Sequence, residues 1–122
     1  MELLIIDDEP SITGVLVKQI TRWGYGVRSA QNSREAIKII STCRIDLILL
    51  DIYLEETTAI ELIPEVKRIK PGIDIITMTG QSSRELEKEI RSLGIIYYME
   101  KPIETANLKS ILEHMESRLI KQ

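Results

Sequence analysis

Short aliphatic runs recur along this chain, and each stops abruptly at a polar residue. Leu3-Leu4-Ile5-Ile6 runs into Asp7-Asp8, and Asp46-Leu47-Ile48-Leu49-Leu50 runs into Asp51. Ile73-Asp74-Ile75-Ile76-Thr77-Met78 ends at Thr79-Gly80, and Ile95-Ile96-Tyr97-Tyr98-Met99 gives way to Glu100-Lys101-Pro102. Runs of this length with little polar alternation read as strands buried on both faces. A weaker run, Tyr25-Gly26-Val27-Arg28-Ser29, reads as a strand nearer an edge. The chain has 22 isoleucines and no phenylalanine, which suits this reading because β-branched aliphatic side chains pack well on a pleated surface.

Segments of helical period lie between the runs. Pro10 suits a first helical turn, Ile12, Val15, Leu16, Ile20 and Trp23 recur at helical spacing, and Gly24 marks the stop. Asn32 with Glu35 resembles a capping box ahead of Ala36, Ile37 and Ile40, and Thr58 with Glu61 another ahead of Ile63 and Val66. Pro64 falls inside that third helix, where it removes one hydrogen bond. Ser82 and Glu85 are expected to cap a fourth helix with a thin buried stripe of Leu86, Ile90 and Leu93, ended by Gly94. A last helix carries Leu108, Ile111, Leu112, Met115 and Leu119. Strand and helix thus alternate five times, which predicts an α/β fold: a doubly wound parallel sheet with helices on both faces, in one domain over residues 1–122.

Several functions are disfavoured. Net charge is −3 with no basic run, so direct nucleic-acid binding by this segment is not expected. No apolar stretch approaches a membrane span of about 20 residues. The N-terminus lacks a signal-peptide layout and the single cysteine, Cys43, has no partner, which together point to a reducing cytoplasm. Cys43 and His114 each lack a second ligand at metal-binding spacing and read as structural and surface residues.

The residues that follow the strands carry the chemistry. Asp7 and Asp8 follow the first, Asp51 the third, Thr79 the fourth and Lys101 the fifth. In an open parallel sheet these positions meet at the carboxyl edge, where ligands bind. Any one of them alone is unremarkable: an acid after a strand is a common helix cap, and Thr79 or Lys101-Pro102 alone is a strand end or a loop. Together they are hard to explain by packing. Three gathered carboxylates repel one another, and a hard divalent cation such as Mg²⁺ relieves that conflict. An ammonium and a hydroxyl beside a carboxylate suit nucleophilic attack on phosphorus to give an aspartyl phosphate.

The motifs Ile-Ile-Asp-Asp-Glu-Pro, Leu-Ile-Leu-Leu-Asp, Met-Thr-Gly and Tyr-Met-Glu-Lys-Pro occur in order and at matching spacing, and in them the chain resembles the receiver domain of two-component response regulators from Leu3 to about Leu119. The resemblance implies strand order 2-1-3-4-5, a fold for which the flavodoxin-like class is the general example. It implies Asp51 as phosphoacceptor; Asp8, Asp51 and the Tyr53 carbonyl as Mg²⁺ ligands, with Asp7 acting through a metal-bound water; and Lys101 as partner of the phosphoryl group. It further implies a cis Lys101–Pro102 bond, Thr79 and Tyr98 as coupled switch residues, an accessible phosphoryl group beside the small Gly80, and Tyr53 and Gln81 as residues that tune phosphoryl lifetime. The implied partners are a sensor histidine kinase or phosphotransfer protein and a downstream output domain or partner protein, reached through the face of the fourth helix, fifth strand and fifth helix. Phosphorylation-dependent homodimerisation is a further implied option. The chain is then a signalling domain whose catalysis is limited to its own phosphorylation and dephosphorylation, either standing alone or cut from a longer protein.

The sequence departs from the family where many members have proline and glycine after the phosphoacceptor; here those positions are Glu55 and Ala59, so Tyr53–Thr58 is expected to be an unusual loop. Ile103 stands where phenylalanine is frequent, and Tyr97 where one DNA-binding subfamily has an acid. Three other readings suit these residues less well. An aspartyl-phosphate phosphatase would need a second acid where Tyr53 stands; a flavodoxin-like carrier would need a Ser/Thr/Gly phosphate loop in place of Asp7-Asp8-Glu9-Pro10; a docking-only pseudo-receiver would not need Asp8, Asp51, Thr79 and Lys101 together.

Overall fold

The computed structural model describes residues 1–120. Five strands, β1 (Glu2–Ile6), β2 (Gly26–Ala30), β3 (Leu47–Asp51), β4 (Asp74–Thr79) and β5 (Tyr97–Glu100), form one parallel sheet in the order β2-β1-β3-β4-β5. Helices α1 (Pro10–Arg22), α2 (Ser33–Thr42), α3 (Ala59–Ile69), α4 (Arg84–Ser92) and α5 (Thr105–Ile120) connect and follow them. This is the doubly wound order implied by the receiver resemblance. Among the described residues no helix is long and apolar enough to cross a membrane.

Alternation along the strands explains the layers. Leu4, Ile6, Ile48 and Leu50 face one core with Ala36 and Ile40 of α2, Leu62 and Val66 of α3, and Leu86 and Ile90 of α4. Leu3, Ile5, Leu47 and Leu49 face a second core with Leu16 and Ile20 of α1 and Leu108, Ile111, Leu112 and Met115 of α5. Each such aliphatic side chain, fully buried, contributes about 1.5–3 kcal/mol relative to exposure. β3 lies centrally, paired on both sides and buried at every residue.

The helix ends follow local chemistry with two exceptions. Pro10 occupies the first turn of α1, and Gly24 and Gly94 close α1 and α4 with φ of +94° and +87°, where a side chain would be strained. Asn32 caps α2 by accepting the Glu35 N–H at 2.9 Å, while the Glu35 carboxylate accepts from Gln31 N–H. Thr58 stands at the N-cap of α3 but makes no side-chain cap; the Glu61 carboxylate instead accepts a bond from the Thr57 hydroxyl at 2.9 Å. The cap of α4 is Ser83, which accepts from Leu86 N–H, and not Ser82. Val15 is 68% exposed, and Thr13 takes the buried place beside Leu16 and Ile20. α3 continues through Pro64. Trp23 ends α1 and packs, partly buried, against the core of Leu3 and Ile5.

Candidate functional site

β1, β3 and β4 deliver Asp7, Asp51 and Thr79 to the same edge of the sheet, and the bond from Lys101 N–H to the Thr79 carbonyl at 2.8 Å brings the β5 end alongside. Asp7, Asp51 and Thr79 are buried. The Lys101 ammonium donates to Asp7 Oδ2 and to Asp51 Oδ2, both at 3.0 Å, and stands 4.0 Å from Glu9 Oε1. The second Asp7 oxygen accepts the Glu9 N–H at 2.9 Å, and the second Asp51 oxygen accepts the Tyr53 N–H at 3.2 Å. The two buried carboxylates are thereby paired and oriented, as burial of charge requires. Glu9, Asp51, Tyr53, Thr79, Gly80, Gln81 and Lys101 line a cleft of about 170 Å³. The Lys101–Pro102 bond is cis.

The electrostatics are unbalanced. Burial is the largest effect at Asp51 and raises its pKa above the usual carboxylate range; Asp7 adds to the rise, and Lys101 and the Tyr53 N–H oppose it. At Lys101 burial alone would lower the pKa, but the hydrogen bonds and charges of Asp7 and Asp51 outweigh it and leave it raised. Carboxylate oxygens of Asp7, Asp8, Glu9 and Asp51 lie within 4.8 Å of one another. Four acids against one ammonium leave excess negative charge, and an all-oxygen donor set of this kind fits a hard divalent cation.

The remaining candidates take distinct places. The Thr79 hydroxyl accepts the Gln81 N–H at 3.0 Å. A Cβ at Gly80 would meet nothing within 4 Å, so this glycine leaves space open rather than avoiding a clash. Tyr53 is 43% exposed at the cleft, and its loop is closed by a bond from Leu54 N–H to the Thr57 carbonyl. That loop has a second anchor: the Glu56 carboxylate accepts the Ser33 N–H at the start of α2 at 2.7 Å. Tyr98 is partly buried, with its hydroxyl bonded to that of Ser82 at 2.8 Å and the Arg91 guanidinium 5.8 Å from its ring centre. Cys43 is half-buried at the end of α2, and His114 is exposed on α5.

Two participants were missed by the sequence reading. Glu9 joins the acidic cluster, although on sequence alone it has no role beyond its place in the motif Ile-Ile-Asp-Asp-Glu-Pro. Ser82 holds Tyr98, although its spacing to Glu85 marked it as a cap. For Glu9 a signal existed, since a third consecutive acid is hard to justify as a cap.

The family model for the response regulator receiver domain matches residues 3–113. Transcriptional regulatory protein ZraR of Escherichia coli (strain K12) is 32% identical over 113 residues, covering 93% of this chain but 26% of that protein. This chain therefore spans about a quarter of the length of such curated relatives. Among solved structures, a response regulator receiver domain protein (CheY-like) from Methanospirillum hungatei JF-1 superposes with a TM-score of 0.90 at 26% identity, covering 99% of this chain and 98% of the other. Response regulator protein TrrA from Thermotoga maritima, in complex with Mg²⁺ and BeF, superposes with a TM-score of 0.83 at 27% identity, covering 93% and 97%.

Proposed function

The chain belongs to the response regulator receiver domain family of two-component signalling, and on that premise we propose that Asp51 is its phosphoacceptor, taking a phosphoryl group from a phosphohistidine of a sensor kinase or phosphotransfer protein. The carrying observation is the position of Asp51: a buried carboxylate at an open cleft, fixed by Lys101 and the Tyr53 N–H, with Asp7, Asp8 and Glu9 close by. An Asp51 oxygen bonds to phosphorus while the P–N bond of the donor breaks. The electron pair of that bond passes to the imidazole nitrogen, and solvent supplies the proton that restores neutral histidine.

Asp8, Asp51 and the Tyr53 carbonyl would hold Mg²⁺, which when bound supplies positive charge for the phosphoryl oxygens. Both oxygens of Asp7 are engaged by Glu9 N–H and Lys101, which suits an indirect role for it through water. Lys101 orients the attacking carboxylate and, once the phosphoryl group arrives, points its ammonium at a phosphoryl oxygen as an ion-pair partner. Thr79 turns its hydroxyl toward a phosphoryl oxygen, and Tyr98 moves into the space released, leaving Ser82. The change biases an equilibrium between two surfaces. Tyr53 and Gln81 flank the cleft and govern water access to the acyl phosphate. The switched face of α4, β5 and α5 acts on an output domain or partner protein, and the chain catalyses no reaction beyond its own phosphorylation and dephosphorylation.

Incubation with acetyl phosphate and Mg²⁺, followed by intact mass, tests this. One added phosphoryl group is expected in the wild type and none in Asp51→Asn. An unmodified wild type, or equal gain in the variant, defeats the assignment.

A further inference from the structure

We propose that the groove between α4, β5 and α5 receives a cationic segment of a partner protein. The inference rests on the reading of this face as the output surface and adds the chemistry of what it binds. The groove encloses about 470 Å³ along the free edge of β5, which pairs only with β4. The partly buried Tyr97 and the buried Ile111 line it beside the polar Asn107. Its rim is acidic: Glu87 on α4, Glu100 at the end of β5 and Glu104 before α5 all line it, and among the described residues no lysine or arginine does. Glu87 already holds Arg91 at 2.8 Å, whereas Glu100 and Glu104 enter no ion pair among the described residues. Two carboxylates of one sign at the rim favour a partner of opposite sign, by on-rate and by exclusion of wrong partners.

A second copy of this chain suits the groove less well: a two-fold contact sets a patch against itself, which would bring two acidic rims into one interface. The groove is also linked to the cleft. Tyr98 lines it, and the Tyr98 hydroxyl is held by Ser82 in the loop between β4 and α4, a few residues beyond Thr79. A change at Thr79 that frees Tyr98 therefore alters the groove wall.

The test titrates the ¹⁵N-labelled chain, with Mg²⁺ present, with a synthetic peptide of alternating lysine and leucine and with its glutamate–leucine counterpart. Expected are salt-sensitive shifts at Tyr97, Glu100, Glu104 and Ile111 with the lysine peptide only. The double variant Glu100→Lys, Glu104→Lys should weaken that binding about tenfold, while still gaining a phosphoryl group from acetyl phosphate. Equal binding of the two peptides overturns the proposal, as do shifts confined to the acidic cleft around Asp51, or a concentration-dependent dimer that buries this face. Failure of phosphorylation with groove binding intact would count against the Asp51 reading alone, and normal phosphorylation without groove binding against the groove alone.

Discussion

Lys101 joins two carboxylates that would otherwise repel each other in a buried place. Lys101→Met removes the shared cation and leaves Asp7, which has no solvent exposure, beside Asp51 without compensation. A loss of about 3 kcal/mol is expected, read by urea unfolding in the absence of divalent metal; an unchanged midpoint would show that the pairing contributes nothing. Ser82 governs a second residue-scale choice. Ser82→Ala deletes the partner of the Tyr98 hydroxyl, at a cost of about 1 kcal/mol to the present position of the ring. The Tyr98 ring resonances of the unphosphorylated variant are expected to move toward those of the beryllofluoride-treated wild type. Resonances that stay at the wild-type resting values would rule the bond out as a latch. Asp7, Asp8, Asp51, Thr79 and Lys101 were legible as a group because each follows a strand and the sheet order brings those ends together. Glu9 could have been added as the third consecutive acid, whereas the role of Ser82 is set by Tyr98, sixteen residues on along the chain.

At the scale of elements, α2 and the β3–α3 loop are coupled through Glu56. The Ser33 N–H is the main cause holding the Glu56 carboxyl below its ordinary value of 4.5. A carboxyl depressed in the folded state stabilises fully above its unfolded pKa, and the contribution fades as pH falls through the folded value. Glu56 is exposed, so solvent screening limits the effect to a few tenths of a kcal/mol. Glu56→Gln should lower stability at pH 7 in urea titrations, and the gap to the wild type should narrow as pH falls below 4.5; a gap that stays constant or widens with acid would contradict this account. α4 is held by only two buried side chains, Leu86 and Ile90, against four in α5. Its amides should therefore exchange with deuterium sooner than those of α5, and comparable protection would count against a mobile α4. The element sequence was readable from period and punctuation, yet three details were not. Ser82 and Ser83 compete for one cap, and the tertiary bond to Tyr98 decides between them. Thr57 reaches Glu61 before Thr58 can use it. Val15 lies on the flank of α1, outside the buried line of Thr13, Leu16 and Ile20, which a list of apolar residues cannot reveal.

On the scale of the whole molecule, β3 is common to both cores, with Leu49 on one face and Ile48 and Leu50 on the other. Leu49→Ala opens a cavity that cannot collapse between paired strands and should cost about 2–5 kcal/mol. The loss should appear as one cooperative shift by circular dichroism and by fluorescence; separate transitions would mean that the two cores unfold independently. Both layers were foreseeable from unbroken aliphatic runs, which need cover on each side, whereas strand order was supplied by the family resemblance. The course of α1 has a practical outcome for optical work. The helix begins beside the acidic cleft and carries the chain back to the opposite end of the sheet, where the only tryptophan, Trp23, closes it. The indole is thus a natural gauge of denaturation, placed too far from Asp51 to be quenched directly by a bound cation, and a light-based reporter of signalling in this chain has to be installed near the cleft.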